Sequence, residues 1–138
     1  SSVVFASLNS ARAKARDAQR LSDIRQIALA LELYRDDNGS YPVRPNWMGT
    51  TPGCFANNNL PDPNDAIPGL VPTYMPSLPR DPKPVFPSYC YLYISNGTDF
   101  KLLIFNTIET INMDSHPLDD PIRGPATGAI YTPGARNW

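Results

Sequence analysis

The first forty residues, Ser1 to Ser40, contain no proline, although the chain has 16. Proline in a helix interior removes a hydrogen bond and clashes with the preceding turn, so this stretch is free to form one uninterrupted helix. Asp36-Asp37-Asn38-Gly39-Ser40-Tyr41-Pro42 ends it. Asn38 and Gly39 tolerate left-handed backbone, and Pro42 blocks a further turn. From Val3 to Asp37 such a helix runs on the order of 50 Å. A single small domain is only about 30 Å across, so the N-terminal turns are expected to project beyond it.

The two halves of the helix carry different faces. Leu21, Ile24, Ala28, Leu31 and Tyr34 recur at helical spacing, with Ile27 widening the stripe, and this half is fit to pack on a globular body. Arg20, Asp23, Arg25, Glu32 and Arg35 are read as mostly off that stripe. Upstream, Ala11, Ala15 and Ala18 form a thinner face among Arg12, Lys14, Arg16 and Asp17, and Val3-Val4-Phe5 at the start is apolar again. A solvated extension with ion pairs such as Asp17 with Arg20 accounts for the charges. It leaves the apolar tip unexplained.

Every proline lies beyond residue 41, so the rest of the chain has a different composition. Residues 43–72 read as a loop region rich in Pro, Gly and Asn, a length that usually means function or tethering. Cys54 and Cys90, an even pair in a loop-rich domain, are expected to form a disulfide, which implies an oxidising compartment. Closing that loop is worth roughly 4 kcal/mol by chain entropy. Tyr89, Tyr91 and Tyr93 alternate with Cys90, Leu92 and Ile94. Ser95-Asn96-Gly97-Thr98-Asp99 then gives a hairpin turn into Phe100–Phe105, and Ala129-Ile130-Tyr131 is a further short strand. The expected fold is α+β, with a long N-terminal helix on a small three- to four-stranded antiparallel sheet. Residues 1–138 form one domain, comprising a helix over 1–40 and a head over 41–138 with its sheet in 88–131.

Taken together, several stretches resemble the type IV pilins and type II secretion pseudopilins. Asn9–Ile24 and Ala28–Tyr34, continued through Asn38–Pro42, are similar to the amphipathic half of that family's N-terminal helix. Tyr74-Met75-Pro76-Ser77-Leu78-Pro79-Arg80-Asp81-Pro82 resembles a phrase of major pseudopilins, and a Tyr-rich strand, a Gly turn and a second strand follow it. The closing Asn137-Trp138 is similar too. The resemblance implies an apolar segment of about 25 residues ahead of Ser1, processed by a prepilin peptidase, methylated and anchored in the membrane. Ser1 is then the cut end of a soluble domain. The implied function is a structural subunit of a type IV pilus-like filament assembling through its N-terminal helix. Its implied partners are copies of itself, other pilins and an inner-membrane assembly platform. Its implied location is the inner membrane before assembly, then a periplasmic or extracellular filament at the cell surface.

Val3, Val4, Phe5, Arg12, Arg16, Asp17 and Arg20 are the expected subunit-contact residues on the helix. The chain departs from major pseudopilins at Phe105–Asp114, where those proteins carry a calcium-binding stretch. Asp114, Asp119 and Asp120 are a weak calcium candidate here, since calcium takes six to eight oxygens; solvated loop acids are the plainer reading. That departure makes a pilus the first reading and a major pseudopilin of a type II secretion system the alternative. A surface binding or adhesin module, with Trp47 and Phe55 of the 43–72 loop contacting a ligand, is a third. The single His116 beside these acids is a poor transition-metal set. No nucleophile elbow, Walker loop or paired-acid motif argues for an enzyme. A net charge of −1 gives no reason to expect nucleic acid.

Overall fold

The computed structural model describes residues 2–138, apart from the side chain of Asn58. Helix α1 spans Ser2–Asn38, 37 residues, or about 55 Å at 1.5 Å per residue. Gly39 closes it with φ of +79°, and its N–H donates to Arg35 O at 2.7 Å. That left-handed cap satisfies one of the free carbonyls at the helix end.

Four strands follow: β1 (Arg44–Gly49), β2 (Tyr91–Ser95), β3 (Phe100–Ile104) and β4 (Gly128–Tyr131). They form one sheet in the order β1-β2-β3-β4, every pair antiparallel. The β2–β3 hairpin pairs Ser95 with Phe100 across the expected turn. Asn96 Oδ1 holds that turn by accepting from the N–H groups of Thr98 and Asp99. The first strand lies inside the stretch read as loop. Its sequence, Arg-Pro-Asn-Trp-Met-Gly, lacks the alternation of a half-buried strand, and its pairing with β2 is irregular between Arg44 and Met48. An edge position tolerates both proline and broken register.

The two-residue period of the sheet divides its side chains between two layers. Tyr91, Tyr93, Phe100, Leu102 and Ile104 pack with Leu21, Ile24, Ile27, Ala30 and Leu31 of α1 in the main core. Removing a side chain such as Ile24 from this core is a change of about 2–5 kcal/mol. On the opposite face Leu92, Leu103 and Ala129 pack with Cys54 and Cys90. Those cysteines form a disulfide, Cα to Cα 6.6 Å, across 36 residues of chain. The bond ties the irregular segment after β1 to the strand beside it. Gly49 lies so close beneath Cys54 O and the Cys90 sulfur that a β-carbon there would collide with the Cys54 carbonyl. Leu70 to Tyr74 closes as a turn, Tyr74 N–H donating to Leu70 O at 2.9 Å.

Candidate assembly surface

The middle of α1 is bolted to the head by charge. Arg20 is fully buried, with Nη1 2.8 Å from both Asp17 Oδ1 and Glu109 Oε2 and Nε 3.1 Å from Asp81 Oδ1. Asp81 also accepts from Thr107 Oγ1 at 2.5 Å and from the Lys83 N–H. Asp17, also fully buried, accepts from the N–H groups of Glu109 and Thr110 and from Thr110 Oγ1. Arg16 closes the cluster with two parallel bonds of 2.7 Å to Glu109, the fork geometry that suits a guanidinium. These bonds from Arg16, reinforced by Arg20, hold the Glu109 carboxyl down to about 2. One turn along, Asp23 accepts from Tyr91 OH at 2.7 Å and from Gln19. Burial raises its pKa despite those bonds, and raises the Tyr91 phenol as well.

Three of the expected subunit-contact residues therefore have a different role. Asp17 and Arg20 have no exposed surface to offer a neighbour, and Arg16 is held by Glu109 within the chain. Nor are Arg20 and Asp23 off the packing stripe; both are buried between the helix and the head. Arg20 is met there by the carboxyl groups of Asp17, Asp81 and Glu109, and Asp23 by the Tyr91 phenol and the Gln19 amide. Arg12, Val3, Val4 and Phe5 lie where a neighbour can reach them, all exposed. Among the described residues, Ser2 to Lys14 make no side-chain hydrogen bond or ion pair with the head. Asp81 and Glu109, which complete the cluster, were missed because nothing local marks a residue that meets a helix some sixty to ninety positions away.

The calcium candidate does not assemble. Asp120 is buried and already balanced, with Oδ1 2.9 Å from Lys101 Nζ and Oδ2 2.7 Å from Arg123 Nη1. Asp114 is exposed and Asp119 half-buried. No group of three or more His, Cys, Asp or Glu side chains converges on a common point among the described residues. The Asp120 site has another use. Lys101, fully buried on β3, also donates to Arg136 O and Trp138 O, and Arg123 donates to Trp138 O. Two cations and one carboxylate thus clamp the last residues onto the sheet. Burial lowers the Lys101 pKa, and Asp120 works against that shift. His116 is half-buried, its Nδ1 accepting from the Leu118 N–H.

The aromatic residues do not form one surface. Tyr91 and Tyr93 are core, Trp47 is half-buried under Arg123, and Phe55 packs beside the disulfide. Phe86 stays exposed. Beyond the N-terminal tip, the other exposed large apolar side chains of the helix are Leu8, Leu29 and Leu33. The last two line a groove of about 350 Å³ with Tyr74, Met75, Pro76 and Pro79. No helix among the described residues is long and apolar enough to cross a membrane. No family model, curated protein or solved structure matches the chain. The fold stands as an α+β unit, a long helix on a four-stranded antiparallel sheet.

Proposed function

We propose that the chain is a structural subunit of a type IV pilus-like filament, assembling through α1. One observation carries the reading: α1 is locked to the head from Arg16 onward, while the turns before it expose Val3, Val4, Phe5 and Leu8. A helix of about 55 Å is much longer than its own core requires. Its N-terminal turns present apolar side chains that water disfavours and that another protein surface would cover. The disulfide supports the same reading, since it suits a head that works in an oxidising compartment. In this role the subunit is held in the inner membrane by an apolar segment ahead of α1 before it joins other pilins at the assembly platform. It then becomes part of a periplasmic or extracellular filament.

The likeness of Tyr74–Pro82 to major pseudopilins favours a second destination, the pseudopilus of a type II secretion system. Deleting the gene separates the two, through loss of surface filaments in one case and loss of secreted proteins in the other. The test of the shared reading is the N-terminus and intact mass of the protein from its native cells. An additional apolar segment of about 25 residues, beginning with an N-methylated residue, is expected. A native start at Ser1 would overturn it.

A further inference from the structure

The outward side of α1 carries a pattern of its own. At about 100° per residue, Val4, Leu8, Ala15, Ser22, Leu29 and Leu33 fall on one line along the helix. All six are exposed and none is charged. The line lies roughly opposite Ile24 and Leu31, which face the core, so the head does not cover it. At its C-terminal end it opens into the groove walled by Tyr74, Met75, Pro76 and Pro79. Leu29 is 63% exposed there, and Val4 at the opposite end of the line is 65% exposed. The chain therefore has both an apolar tip and an apolar groove, on one side of one helix.

Charge selects the occupant. Arg12 and Lys14 follow the tip, and Asp36 and Asp37 follow the groove, all four exposed and free of ion pairs among the described residues. A parallel second helix that sets its Val4 and Leu8 against Leu29 and Leu33 is shifted by about 25 residues, or about 38 Å. That shift brings Arg12 of one copy beside Asp37 of the other. An antiparallel pair joining the same apolar residues would set Arg12 beside Arg25, like charge against like.

We propose that the groove between α1 and Tyr74–Pro79 seats the N-terminal turns of α1 from a second copy of this chain, parallel and staggered. The contact joins opposite ends of the same line, so it is heterologous and propagates from copy to copy instead of closing a dimer. The proposal rests on the filament reading in taking another copy as the neighbour, and it adds which surfaces meet and in what register.

The test is directed disulfide capture with the 138-residue chain. Leu8→Cys and Leu33→Cys chains are mixed at high concentration and oxidised. A mixture of Leu8→Cys and Thr98→Cys, with Thr98 exposed on the hairpin turn, supplies the collision background. The Leu8–Leu33 pair is expected to cross-link at least tenfold above that background. Replacing Asp36 and Asp37 by lysine on the Leu33→Cys chain is expected to bring the yield back to background. Cross-linking at background level, or homotypic dimers of either variant matching the mixed yield, would overturn the proposal. The native N-terminus is a separate readout, so a failed filament reading and a failed groove contact give different results.

Discussion

At the scale of single residues, the chain places charge where an apolar stripe would be expected. Arg20 in the core is tolerable only because Asp17, Asp81 and Glu109 surround it. A buried ion pair adds little over an apolar replacement, but breaking one leaves an uncompensated charge. Arg20→Ala is therefore expected to destabilise the domain by about 3–5 kcal/mol. Arg12→Ala, at an exposed site, is expected to change stability by no more than about 0.5 kcal/mol. Urea unfolding of the two variants checks the contrast, and equal effects would contradict the burial assigned to Arg20.

The acids in this region respond to pH in opposite directions. Glu109 is held down to about 2 by Arg16 and Arg20. Its contribution is complete above the unfolded carboxyl range and is lost as pH falls from about 4.5 towards 2. Asp23 is raised by burial, so the native state binds its proton more tightly than the unfolded chain does. Its contribution to stability therefore grows as pH falls through the raised value towards 3.8. Unfolding free energy followed from neutral pH to pH 2 should show Glu109→Gln removing the acid loss and Asp23→Asn removing the gain that precedes it. A Glu109→Gln profile as steep as that of the parent below pH 4.5 would contradict the assignment.

At the scale of elements, α1 is one helix with two fates. Its second half buries Ile24, Ile27 and Leu31 against β2 and β3, whereas Ser2 to Ser10 are exposed throughout. Isolated helical turns are marginal in water, and packing supplies most of a helix's stability. Amide hydrogen exchange in the free domain is expected to rise in protection along α1. It should be fast before Ala11, then slow from Asp17 to Leu31 at rates approaching those of β2 and β3. Uniform protection along α1 would show that its N-terminal turns are covered even in the isolated subunit. The sheet divides in a similar way. Its two central strands are almost wholly buried, whereas β1 is an irregular edge. The disulfide holds the irregular segment that follows β1, together with non-ladder backbone bonds such as Phe55 N–H to Pro87 O at 2.8 Å.

At the scale of the whole molecule, the head and the second half of α1 share one core, and the first turns of α1 are not part of it. A chain beginning at Ala15 is expected to keep its thermal midpoint within a few degrees, because the residues removed add no buried core. The same truncation removes Val4, Leu8 and Arg12, so it is expected to abolish staggered pairing and filament incorporation. Scanning calorimetry together with an incorporation assay in cells checks both halves. A large loss of stability would mean that the N-terminal turns belong to the head after all. The end of the chain behaves differently, since Lys101 and Arg123 pin Trp138 to the sheet and make it part of the structure.

Much of this was determined locally and could be read from the chain. The absence of proline and the Asn38-Gly39 stop define the helix, the spacing of Ile24, Ile27 and Leu31 defines its inner face, and Asn96-Gly97 defines the hairpin. The two cysteines fit one bond because few alternatives exist for two. Each of these signals depends on residues adjacent in sequence or on a pair with no competitor. The tertiary structure decided the rest. Arg16, Asp17 and Arg20 read as an outward charged face until Asp81 and Glu109, distant in the chain, meet them and take them into the interior. Asp120 reads as a solvated loop acid, or at most a weak calcium ligand, until Lys101 and Arg123 occupy it. Strand β1 has no pattern of its own and exists because β2 offers it an edge. A buried charge is stable only beside its counter-charge, and which charges become neighbours is a property of the folded chain.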